Sequence, residues 1–317
     1  MLRLVATSGV ALVSGCSGGG ESPTPGTPTS SGGAPAAPDD DELLLQRVHA
    51  LLGALLARSR AAARGRPDRQ LAAVLGAVSS RLSERLVALG ADDAPATPGG
   101  TGDPRTAQRR LASAVVAAQR ESSRLAWKAS SGDLARLVAS IGAGLRQDAA
   151  ALAAGDAVRS LNAARAGLTA STGDAFAEQP VLDAAQLVLA GEHAAVYAYG
   201  VMGGRSPALA AELATRNFVV HRARRDALTT SIRAGGADPV VAEPGYALPV
   251  DVAAAAPARR VGQQVEDRCS VLYAALVAAA PASTQTRQQA VTALSDAGLR
   301  LLDWGGQAAA LPGVQLP

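Results

Sequence analysis

From Glu42 onward, apolar residues recur every third or fourth position in nearly every segment, the spacing of one face of an amphipathic helix. The pattern predicts helices over 42–64, 67–90, 105–129 and 132–154, and again over 180–203, 206–234, 256–280 and 283–309. Pro67, the stretch from Pro95 to Pro104, Ser130-Ser131, Gly203-Gly204, Gly235-Gly236 and Pro281 supply the breaks. The one extended-looking segment, PVVAEPGYALPV (Pro239 to Val250), holds too many prolines for a central strand. The fold class read from this pattern is all-α.

Connection lengths restrict the topology. Helices one and two are joined tightly, as are three and four, so each pair forms an antiparallel hairpin. About twenty residues separate Gly235 from Ala255. At about 3.3 Å per extended residue they can run the length of a 25-residue helix, about 38 Å. A long middle crossover between two hairpins is the ferritin-like arrangement, with up-down-up-down winding as the alternative.

The two sets of four helices also resemble each other. RVHALLGALLAR (Arg47 to Arg58) aligns with GEHAAVYAYGVM (Gly191 to Met202), placing His49 against His193 and Val48 against Glu192. ALGADDAP resembles AGGADP at the end of each second helix, and ASIGAGLR (Ala139 to Arg146) matches TALSDAGLR (Thr292 to Arg300) with one residue inserted. The expectation is two similar bundles, over 42–170 and 178–313, of which only the second carries the acid.

Composition adds a little. The chain of 317 residues is 48% hydrophobic but only 3% aromatic, so its cores are built from Ala, Leu and Val. The net charge of +3 is small, and acids are interspersed with the arginines, which reads as a solvated surface with no nucleic-acid patch. The N-terminus is more specific. MLRLVATSGVALVSGC has a basic residue, a short apolar stretch and Val13-Ser14-Gly15-Cys16. It resembles the lipobox of bacterial lipoproteins, which implies a signal peptide over 1–15 and an acylated Cys16, such as a palmitate carrier, at the mature N-terminus. The Ser-, Gly- and Pro-rich stretch to Asp41 would then be a tether that holds the helices off the membrane. Cys269, between Val265 and Leu272 at helical spacing, reads as a buried thiol with no disulfide partner.

In LAGEHAAVYAYG (Leu189 to Gly200) a carboxylate and an imidazole sit in the middle of an apolar helix. Glu192 lies on the stripe Ala185, Leu189, Val196, Tyr199 and should point inward; His221 shares a stripe with Phe218, Leu228 and Ile232; Glu266 shares a face with Cys269 and Tyr273. Unpaired buried carboxylates are costly, so these acids need partners. Arg225, one turn after His221, is the expected one. Core filling and interface contacts account for Tyr197, Tyr199, Tyr246 and Tyr273.

Through GEHAAVYAYGVMGG, HRARRDALTTSIRAGGADP, EPGYALPVDV and RLLDWGGQAAALPG, the region from Leu182 to Gly313 resembles the ferritin-like domain of unknown function found in bacterial lipoproteins and secreted proteins. The resemblance implies a four-helix bundle of ferritin topology and no stated reaction. Ferritin-like di-iron sites take one Glu from each of two helices and a Glu-x-x-His from each of the other two. Glu192 and Glu266 match the single acids. However, Phe218 stands three residues before His221, and Leu299 three after Asp296.

Three carboxylates and one histidine fall short of a two-metal cage. The set Glu192, His221, Glu266, Asp296 and Arg225 therefore reads first as a buried polar core. A single ion on Glu192, His221 and Glu266, a damaged di-iron site or a small-ligand pocket are the alternatives. No cofactor is called for; iron or manganese are the ions the alternative would use. The functional expectation is a membrane-anchored extracytoplasmic lipoprotein, a non-catalytic module for an unidentified protein or small-ligand partner. A metal-dependent oxidoreductase or iron-handling protein is the second reading, and a scaffold that homodimerises through alanine-rich faces is the third.

Overall fold

The computed structural model describes residues 39–91, 103–153, 176, 178–248 and 251–315. The lipobox, Cys16, nearly all of the expected tether, and the end of the first expected bundle (154–170) lie outside the described residues. Among those described, all regular structure is helical: α1 (Asp40–Arg64), α2 (Arg69–Ala88), α3 (Pro104–Lys128), α4 (Gly132–Leu152), α5 (Gln179–Arg205), α6 (Ala208–Ala234), α7 (Ala255–Ala279) and α8 (Gln285–Asp303). No helix there is long and apolar enough to cross a membrane.

Local chemistry sets most boundaries. Asp39, Asp68, Asp103, Ser131 and Thr284 each accept a hydrogen bond from a backbone N–H three residues on, which caps α1, α2, α3, α4 and α8. Hence α2 starts after Asp68 instead of at Pro67. The expected end of the last helix at 309 is corrected to Asp303. Gly305 takes φ +76°, and the N–H groups of Gly305 and Gly306 turn back to the carbonyls of Leu302 and Leu301. That left-handed closure stops the helix six residues early.

Pairings across the bundle give the helix directions. In the second set, Tyr199 of α5 meets Glu266 of α7 while Glu192 meets Tyr273, so α5 and α7 are antiparallel. His221 and Arg224 of α6 lie level with Glu266 and Tyr273, so α6 and α7 run parallel. The connection between α6 and α7 must therefore travel the bundle's length. It does so along α5: Val240 bonds to Gln186, the Tyr246 ring sits 5.5 Å from Tyr197, and the Val252 carbonyl accepts from Ser206.

The first set has neighbouring pairs α1–α2, α3–α4, α1–α3 and α2–α4. There too α1 and α3 are antiparallel: Asp41 accepts from the Ser130 and Ser131 amides, and Arg47 pairs with Glu121 at 2.7 Å. The two sets pack together through α4, which lies against both α7 and α8. This explains why α4 is buried almost all round from Val138 to Leu152, and α8 from Ala290 to Arg300. Polar ties cross the seam: Arg146 to Asp296 at 2.5 Å, Gln147 to the Gly298 carbonyl at 2.8 Å, and Arg85 to the Ala310 carbonyl at 2.8 Å.

Candidate functional site: a buried Glu-His-Glu network

Glu192 of α5, His221 of α6 and Glu266 of α7 converge at the centre of the second bundle, each fully buried. The His221 Nδ1 lies 2.7 Å from a Glu192 oxygen, and its Nε2 lies 3.1 Å from a Glu266 oxygen. Carboxylates only accept, so an imidazole held between two of them donates from both nitrogens and carries a positive charge. Burial opposes that charge, but Glu192 and Glu266 outweigh it and raise the imidazole's pKa well above its ordinary value.

Each carboxylate also takes a phenol from the opposite helix. Tyr199 donates to Glu266 at 2.6 Å, and Tyr273 donates to Glu192 at 2.6 Å. Both tyrosines stand seven residues, two turns, after the glutamate on their own helix, so the antiparallel pair exchanges equivalent bonds. Arg300 of α8 closes the set, its Nε 2.9 Å from the second Glu266 oxygen. All four oxygens of Glu192 and Glu266 thus face protein donors. Burial would raise both acids, but Arg300 and His221 bring Glu266 down to about 2, and His221 and Arg224 hold Glu192 below its usual range. Burial and the neighbouring carboxylates push both phenols well above their ordinary value. Trp304 stacks on Tyr199 at 5.8 Å and donates to its hydroxyl at 3.1 Å. This close fit needs Gly262, since a Cβ there would sit 2.2 Å from the indole.

Asp296 is buried one layer out and joins Arg224 of α6, at 3.1 Å, to Arg146 of α4. The expected partner Arg225 is a correction: it points outward and pairs with Asp226 at 2.6 Å. The buried stripe of α6 runs Asn217, His221, Arg224, Leu228, stepping by three after His221, which turns Arg224 inward and Arg225 out. His193 contacts the Val240 carbonyl at 3.2 Å at the bundle edge, and His49 contacts the Leu89 carbonyl at 3.2 Å. Neither belongs to the network. Sequence reasoning missed Tyr199, Tyr273 and Arg300; the repeated Glu-x6-Tyr on α5 and α7 was the available signal for the first two.

The donor set does not fit a ferritin-type pair of metal ions. Phe218 and Leu299 stand where such a site requires ligands, both imidazole nitrogens are engaged, and Arg300 supplies positive charge where a cation would. A smaller group remains: a Glu192 oxygen, a His221 nitrogen and the Cys269 sulfur lie within 4.8 Å of one another and could hold one metal ion. The thiol is buried, and burial pushes its pKa up.

Residues 184–316 match the family model described as a domain of unknown function, DUF4439. The C-terminal half of the chain carries the DUF4439 domain. The chain is also similar to a conserved hypothetical protein from Mycobacterium tuberculosis, known from a crystal structure. The two are 32% identical over 40% of this chain and 97% of that one, with a TM-score of 0.37. No curated protein matches the chain. In the DUF4439 domain the Glu-His-Glu network spans α5, α6 and α7, with α8 adding Arg300.

Proposed function

We propose that the chain is a lipid-anchored extracytoplasmic lipoprotein whose DUF4439 domain is a ferritin-like bundle acting as a non-catalytic binding module. The up-down-down-up helix order, with its long connection between α6 and α7, supports the ferritin-like reading. One observation carries the non-catalytic part: every oxygen of Glu192 and Glu266 already faces a donor from the protein. A catalytic metal site keeps an open position for water or substrate; here His221 and Arg300 neutralise the two acids and lock four helices together. Metal analysis of the full chain purified without chelators tests this, with far less than one ion per chain expected. One iron or manganese per chain, lost in Glu192→Ala and Glu266→Ala, would overturn it.

The Glu192, His221 and Cys269 group favours a second reading, a single-metal protein with an oxidoreductase or iron-handling role. A thiolate in the ligand set points to a softer ion than the iron or manganese first considered. In that case Cys269→Ser abolishes stoichiometric metal. The anchor has its own test: Cys16→Ala moves the protein from the membrane to the soluble fraction, and retention of that variant in membranes contradicts lipidation.

A further inference from the structure

The arginines are scattered along the sequence, but the fold gathers a group of them at one end of the first bundle. The last turns of α1, the turn after it, the start of α2 and the start of α3 meet there, because α1 is antiparallel to both α2 and α3. Among charged residues on 58–70 and 103–111, eight are arginine and two are acidic, Asp68 and Asp103. Asp103 is committed to capping α3, and Asp68 caps α2 while lying 3.6 Å from Arg105. Arg58, Arg66, Arg69 and Arg110 are exposed, with no ion-pair partner among the described residues.

A cleft of about 840 Å³ opens between the end of α1 and the start of α3. Arg58, Arg109 and Arg110 line it together with apolar Ala62, Ala107 and Leu111; the α3 cap Asp103 also lines it, so three guanidinium groups face one carboxylate. A guanidinium rim over an apolar wall matches an amphiphile with a phosphate head: the head takes the paired N–H donors, and the first methylenes take the wall.

We propose that this arginine-ringed cleft docks anionic phospholipid headgroups at a membrane surface. The choice of a lipid over another phosphate rests on the lipid-anchored reading above. From Cys16 to Asp39 the chain can extend about 75 Å, twice the roughly 37 Å length of α1. The basic end is thus within reach of the bilayer that holds the anchor. Arginines near an anionic surface each add about fivefold to partitioning, and the attraction weakens with salt.

The experiment uses the full chain carrying Cys16→Ala, so that no lipid anchor contributes and a failure here is separate from a failure of lipidation. Sedimentation with vesicles of phosphatidylglycerol and phosphatidylcholine is compared with vesicles of phosphatidylcholine alone, before and after Arg58→Gln, Arg109→Gln and Arg110→Gln are combined. Binding to the anionic vesicles alone, weakened roughly a hundredfold by the triple change at unaltered helicity, is expected. Equal binding to both vesicle types, no binding, or an unaffected triple variant overturns the proposal. Capture by a soluble glycerol-phosphate polymer in preference to the vesicles overturns it equally.

Discussion

Tyr199 of α5 donates its phenolic hydrogen to Glu266 of α7 at 2.6 Å, in the fully buried centre of the DUF4439 domain. Tyr273 returns the same bond to Glu192. Four residues on two antiparallel helices therefore form a closed exchange, with His221 of α6 between the two acids. Removing Tyr273 strips one Glu192 oxygen of its donor; removing Tyr199 leaves the Glu266 oxygen with His221 alone and takes the acceptor from the Trp304 indole N–H. Tyr199→Phe and Tyr273→Phe should each cost about 2 kcal/mol, read from the denaturant midpoint at constant m-value. Because both belong to one network, the double variant should depart from additivity; two independent, additive losses would contradict the exchange.

Arg300 and Glu266 should behave as a pair whose halves cannot be removed singly. Arg300→Met leaves Glu266 with less compensation, and breaking a buried pair costs about 3–5 kcal/mol. Combining it with Glu266→Gln should recover part of the loss, as a double-mutant cycle would show. A double variant as unstable as the sum of the singles would speak against direct coupling.

The network sets a pH window. His221 is raised in the folded state, so its contribution is full below the ordinary imidazole value near 6.5 and fades as pH rises through the folded value. Glu192 and Glu266 are lowered, so theirs is full above about 4.5 and fades as pH falls, for Glu266 toward about 2. From these groups, stability is greatest between about pH 4.5 and 6.5. Thermal unfolding of the full chain against pH checks this, and His221→Gln should flatten the alkaline limb. An alkaline limb unchanged by that substitution would mean that His221 is not charged.

The seam between the two helix sets depends on close backbone approach. A Cβ on Gly144 would lie 2.5 Å from both the Ala310 carbonyl oxygen and an Arg85 nitrogen. Gly144→Ala should therefore destabilise by about 1–3 kcal/mol, although alanine favours the helix itself. A stabilised variant would show that α4 and the C-terminal segment are not in contact.

Helix positions were legible because the alanine-leucine pattern keeps its period over eight segments, and capping side chains mark most starts. The convergence of Glu192, His221 and Glu266 was legible for the same reason: each lies on the apolar stripe of its helix. The partner of the acids was not. Arg224 and Arg225 both lie within a turn of His221, and only the packing of α6 decides which faces inward. Arg300 follows Asp296 by one turn, yet its choice of Glu266 depends on how α8 crosses α7, which no single-helix pattern reveals. Tyr199 and Tyr273 do fill the core, but their bonds to the acids are not visible in one helix's pattern, because each links positions 67 or 81 apart in sequence.

The charge on His221 is the centre of this account. The chain has only three histidines, so 15N-histidine NMR of the full chain at pH 8 can resolve its ring. Two protonated ring nitrogens, both slow to exchange and insensitive to added divalent metal, are the expected result. A bare or metal-coordinated ring nitrogen at that pH would contradict the closed network.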